Sequence, residues 1–106
     1  MKKEKNKKKN LGEALSFHNK KELLSFMQAV ISLDFMHETE IMMIKKDIAR
    51  IDLSTMTGIY RRRLSRLFRA DSIISIKEMA KIGHALKVRI HISFSKPLEE
   101  DDSGKA

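Results

Sequence analysis

A small, mainly α-helical domain of about five helices, closed by one short C-terminal β-strand, is the fold class this sequence predicts. Three observations carry the prediction. Apolar residues recur at three- and four-residue spacing over most of the chain, two segments open with helix-capping signatures, and only residues 88–94 alternate with a period of two. A chain of 106 residues holds one modest core and little else.

Residues 1–10, Met-Lys-Lys-Glu-Lys-Asn-Lys-Lys-Lys-Asn, contain almost no apolar material and read as a disordered basic tail. A single domain follows over 11–96. Residues 97–106, with Glu99, Glu100, Asp101 and Asp102, read as a disordered acidic tail. Residues 11–18 fit either a short helix or an ordered lead-in. Asn19-Lys-Lys-Glu22 has the spacing of a capping box with Asn19 as the cap. Leu23, Phe26, Met27, Val30 and Ile31 then recur at helical spacing. Asp34 to Glu40 reads as a polar break, after which Ile41, Ile44 and Ile48 form the next apolar stripe.

The phase of that stripe places the next boundary. In a helix continued past Ile48, Leu53 and Met56 would sit about 60–120° from Ile41, on the other side from Ile44 and Ile48. A break near Asp47–Arg50 resolves the conflict. A short helix then ends at Thr57-Gly58, where Gly58 suits the left-handed backbone of a helix terminus.

The next helix, from Tyr60 to Arg69, carries the strongest chemical signal. Leu64, Leu67 and Phe68 fall on one face, while Arg62, Arg66 and Arg69 cluster opposite. Residues 61–69 hold five arginines and no acid, so no i,i+4 pairing relieves their repulsion. A guanidinium presents forked donors that match phosphate oxygens or the O6/N7 edge of guanine. Such a helix is expected to bind a polyanion.

Ala70 to Ile74 reads as a loop. Ser75-Ile-Lys-Glu78 is a second capping box, opening a helix with Ile76, Met79, Ile82, Gly83 and Leu86 inward. Val88, Ile90, Ile92 and Phe94 then alternate with Arg89, His91 and Ser93 as in a half-buried strand. One strand cannot satisfy its own backbone groups, and no second strand is evident. Its partner is expected to be the same strand of a second copy, or a different protein joined by strand addition. An extended segment lying over the core is the alternative.

Composition narrows the function classes. A formal net charge of +8 draws the chain to polyanions. Without cysteine there is neither disulfide nor thiolate metal site. His18, His37, His84 and His91 show no metal-ligand spacing, and no Gly-rich phosphate loop or nucleophile motif occurs, so no enzyme, metal or cofactor is expected. The methionines read as core filler. With no secretory signal and no apolar run of about 20 residues, the expected location is the cytoplasm, at the nucleoid. Few aromatics and no stacking platform argue against single-stranded RNA.

The stretch Gly58-Ile-Tyr-Arg-Arg-Arg-Leu-Ser-Arg-Leu-Phe, preceded by Ile51-Asp-Leu-Ser-Thr-Met-Thr, resembles the helix-turn-helix of Cro/C1-repressor-like (Xre) DNA-binding proteins. Ser75-Ile-Lys-Glu-Met-Ala-Lys-Ile-Gly-His-Ala-Leu-Lys-Val resembles that family's next helix. Within the family the layout looks most like the antidotes of bacterial toxin–antitoxin addiction modules. Ala70 and Lys87 stand where such proteins usually carry glycine.

The resemblance implies a lambda-repressor-like fold and a transcriptional repressor that binds a palindromic operator as a homodimer. It also implies a cognate toxin as a second partner. Arg50 falls where the family puts a backbone-contacting residue. Tyr60, Arg61 and Arg62 fall at the base-facing end of the recognition helix, with Ser65 and Arg66 one turn on. Arg63 and Arg69 are expected on phosphates. A protein whose main task is toxin neutralisation, and a non-specific nucleic-acid-binding protein, are the alternative functions.

Overall fold

Four helices organise residues 19–95, the part of the chain that the computed structural model describes: α1 (Lys20–Lys46), α2 (Arg50–Thr57), α3 (Arg61–Phe68) and α4 (Ile76–Leu86). The mainly α class holds. The two charged tails and the 11–18 segment lie outside the described residues. Among the described residues, 27–91 form one compact unit, and 19–26 and 92–95 fall outside it.

α1 is one 27-residue helix where two were expected. Its start follows the sequence: the Asn19 Oδ1 accepts the Glu22 N–H at 2.9 Å. The predicted break at Asp34–Glu40 is absent. That stretch has neither Gly nor Pro, and its polar residues Asp34, His37, Glu38 and Glu40 are exposed while Met36 and Thr39 turn inward. The polar run is a helix face, not a gap.

The inward face of α1 is Ser32, Met36, Thr39 and Met43. Both buried hydroxyls are satisfied. Ser32 Oγ accepts the Ile74 N–H at 3.0 Å, and Thr39 Oγ1 donates to the Phe35 carbonyl at 2.9 Å. With Met36 and Met43, the core comprises Leu53, Ile59, Leu64, Leu67, Ile74, Ile82, Ala85 and Leu86. Ile44, expected in the apolar stripe, is instead 73% exposed. α2 packs against both α3 and α4.

The predicted break after Lys46 and the helix end at Gly58 both occur. Ala49 has no capping oxygen, and the only help at that end is the Asp52 carboxylate, which accepts the Ala49 N–H at 3.1 Å. At α4 the whole capping box forms. Glu78 N–H donates to Ser75 Oγ at 3.1 Å, and Ser75 N–H donates to Glu78 Oε1 at 3.0 Å. Ile76 departs from expectation, being 76% exposed. It opens the helix about 80° from the direction shared by Met79, Ile82 and Leu86.

No strand forms among the described residues, and 88–95 follow no regular pattern. The ladder needs a neighbouring strand, and none is present among the described residues. Val88 packs against the core instead. A Cβ on Gly83 would lie 2.8 Å from Ile90 Cδ1, so Ile90 closes over α4 where there is no side chain. Ile92 and Phe94 are exposed.

Three helices end on non-glycine residues in the left-handed region: Asp47 (φ 58°), Ala70 (φ 64°) and Lys87 (φ 57°). At Lys87 the Val88 N–H returns to the Gly83 carbonyl at 3.0 Å, and at Ala70 the Asp71 N–H returns to Arg66 at 2.9 Å. An L-residue there costs about 1–2 kcal/mol, and part of that is offset because glycine loosens the unfolded chain. Ala70→Gly and Lys87→Gly are each expected to stabilise the fold by about 0.5–1 kcal/mol. The readout is a higher denaturant midpoint at unchanged slope. A lower midpoint would show that the left-handed turns cost nothing.

Candidate nucleic-acid interface

α3 is placed by its two inward leucines. Leu64 and Leu67 are buried almost completely, which fixes the rotation of the helix about its axis. Arg61, Arg62, Arg66 and Arg69 then project from the other side and are exposed, with Ser65 half-buried among them. Phe68 is half-buried and packs against the core. Tyr60 caps α3 with extended backbone, and its ring is 82% exposed. It does not pack on Leu64, leaving an amphipathic ring at the helix's N-terminal end beside Arg61.

The α2–α3 connection is held by side chains as well as by Gly58. Gly58 takes φ 79° and donates its N–H to the Ser54 carbonyl at 2.8 Å. Ser54 Oγ donates to the Ile59 carbonyl. Thr57 Oγ1 donates to the Leu53 carbonyl at 2.7 Å and accepts the Ile59 N–H at 3.1 Å. Buried Ile59 is thus pinned through both its backbone groups.

The arginines divide into distinct environments. Arg63, expected on phosphates, is engaged within the fold. Its Nε and Nη2 donate to the two Glu78 carboxylate oxygens at 2.8 and 2.9 Å. Nη1 donates to Ser72 Oγ, and Nη2 also reaches the Ile73 carbonyl at 3.0 Å. On the helical wheel Arg63 lies next to Leu67 rather than beside Arg62, which turns it toward α4. It ties α3 to the following loop and to α4. Arg69 pairs with Asp71 at 3.0 Å, with both side chains more than half exposed, so that pair adds little stability. Arg50 lies over the Phe68 ring, its guanidinium carbon 4.1 Å from the centroid. The stack joins the start of α2 to the end of α3, and Arg50 itself is exposed.

Glu78 is the carboxylate that the sequence reading undervalued. It serves the capping box and the Arg63 fork together. The Arg63 hydrogen bonds hold its pKa down to about 2, against an opposing push from partial burial, with the Ser75 N–H adding to the stabilisation. The Arg63 guanidinium is raised in turn, chiefly by its hydrogen bond to Glu78. A carboxyl depressed in the folded state contributes stability above its unfolded pKa and loses it as pH falls through the folded one. Stability is therefore expected to be flat near neutrality and to fall between about pH 4.5 and 2. The contribution is roughly 1–2 kcal/mol after screening at this half-open site. Urea titrations at pH 7, 4 and 2.5 measure it, and Glu78→Gln should flatten the decline.

Among the described residues no cluster of His, Asp or Glu is arranged to hold a metal ion, and no helix is long and apolar enough to cross a membrane. The arrangement offers an arginine-covered ridge on a helix locked to its neighbours. Comparison with protein-family models, with curated proteins and with solved structures finds no match.

Proposed function

We propose that this protein is a sequence-specific DNA-binding regulator that reads operator bases with α3 as a homodimer and represses by occluding a promoter. The observation that carries the reading is the division of α3. Leu64 and Leu67 are sunk in the core while Arg61, Arg62 and Arg66 stand exposed on the other side, with Tyr60 at the leading end. A helix in the major groove presents its N-terminal residues to base edges. Arg61, Arg62 and Arg66 take guanine O6/N7, and Tyr60 and Ser65 flank them. Arg50, oriented on Phe68, and Arg69 take phosphates. Arg63 positions the helix. The Cro/C1-repressor-like resemblance, with the addiction-module antidote as its more particular form, supports the same reading.

Selection from a random duplex library near physiological salt tests it. A two-fold symmetric consensus is the expected result. Enrichment of no sequence, together with steep salt dependence, would overturn base reading and leave a generic polyanion-binding face. The alternation at 88–94 offers an edge to a second chain, and the dissociation test described next separates that edge from a helical interface.

A further inference from the structure

α1 buries Met36 and Met43, with Phe35 and Met42 packed beside them, yet it also leaves apolar residues exposed. Inward stand Ser32, Met36, Thr39 and Met43, whereas Val30, Ile31, Leu33 and Ile44 remain exposed, Leu33 at 45%. Val30, Leu33 and Ile44 form a row about 110° round the helix from its buried face, and an exposed apolar row of that kind is one a partner can cover. Val30, Leu33, His37, Glu40 and Ile44 fall at alternating three- and four-residue steps along that outer side, the spacing of a coiled-coil seam.

We infer that the seam is the homodimer interface, with α1 of one copy packed antiparallel on α1 of another. The order of charges selects both the occupant and the direction. Over residues 34–46 α1 runs from acidic (Asp34, Glu38, Glu40) to basic (Lys45, Lys46), and Lys20 and Lys21 at its start lie beyond the stretch that pairs. A parallel pair sets each charge beside its own copy, whereas an antiparallel pair brings the basic end of one helix to the acidic stretch of the other. Antiparallel axes also oppose the two helix dipoles favourably. The seam is self-complementary in one register: Leu33 faces Ile44 of the second copy, His37 faces its Glu40, and Lys45 comes beside its Asp34. Each contact occurs twice about the two-fold axis, as an isologous interface requires. The inference deepens the two-copy reading proposed above and rests on it, and it places the dimer contact on a different helix from the arginine ridge.

The test uses the full chain without DNA, so its failure is separate from failure of base reading. Sedimentation equilibrium at about 100 µM is expected to give a dimer. Leu33→Glu and Ile44→Glu are expected to halve the apparent mass while leaving helix content unchanged, because both residues are exposed in the single chain. The sequence contains no cysteine, so Gln28→Cys and Lys45→Cys each accept one spin label. The antiparallel register predicts label separations of about 30 Å and about 20 Å, respectively. A parallel pair would give about 10 Å at both. A monomeric wild type, equal short distances at both labels, or a dimer that survives Ile44→Glu but dissociates on Ile90→Asp would each overturn the α1 pairing. The last outcome would assign the interface to the 88–94 edge. A monomer that forms a stable complex only with a different protein would give the seam to that partner.

Discussion

Arg66→Ala is expected to weaken binding to the selected operator by roughly 5- to 150-fold, about 1–3 kcal/mol, while changing affinity for random duplex only slightly. The reasoning is geometric. Arg66 sits on the exposed side of α3 opposite Leu64 and Leu67, one turn beyond Arg62, and none of the described carboxylates is paired with it. A fork to guanine is lost at one base pair only, so the penalty should concentrate there and the salt slope should barely move.

Two other arginines of the same helix serve as controls because their surroundings differ. Arg69→Ala removes a phosphate contact in this reading, so it should weaken all sequences alike and lower the salt slope by about 1. Arg63→Ala should act through stability, since its donors are engaged by Glu78, Ser72 and Ile73. Fluorescence anisotropy at several salt concentrations, on operator and on scrambled duplex, separates the three. Equal losses on both duplexes for Arg66→Ala would remove it from base reading.

Glu78→Ala has the largest expected effect on the fold, about 3 kcal/mol. The substitution cuts the bidentate Arg63 pair and the Ser75 N–H bond to the Glu78 carboxylate at once, while the backbone N–H of residue 78 keeps its bond to Ser75 Oγ. It also leaves the Arg63 guanidinium, whose side chain is only 29% exposed, without its counter-charge. A domain of this size holds roughly 5–15 kcal/mol in total, so the loss is a substantial fraction. Glu78→Gln retains an acceptor for Ser75 and should cost about half as much. Urea denaturation measures both. A loss below about 0.5 kcal/mol would show that the pair behaves as a solvated surface contact.

Where local rules were sufficient, the sequence was read correctly. The Asn19 cap, the Ser75 capping box, the break after Lys46 and the Gly58 terminus depend on residues within four positions of one another, and each appears where spacing placed it. The inward Leu64 and Leu67 followed from phase alone. The failures share a cause. Whether Asp34–Glu40 interrupts a helix, whether Ile44 and Ile76 are buried, and whether Arg63 meets solvent depend on what lies beside them across the fold. The Arg63–Glu78 contact joins residues fifteen apart, a distance at which periodicity carries no information. Glu78 was visible as a capping residue, and that role concealed the second one. The alternation over 88–94 is real in the residues, but a strand also needs a neighbour.

The hydroxyl clasp around Ile59 bears on how a partner would be met. With Ser54, Thr57 and Gly58 fixing the turn, α2 and α3 travel as a single body. The backbone of the ridge is therefore already ordered before any encounter. The configurational freedom surrendered on contact would come from the arginine side chains, while counterions released from a polyanion would gain freedom. If α3 binds DNA as proposed, association would need no folding step, and its speed should follow ionic strength rather than a conformational search.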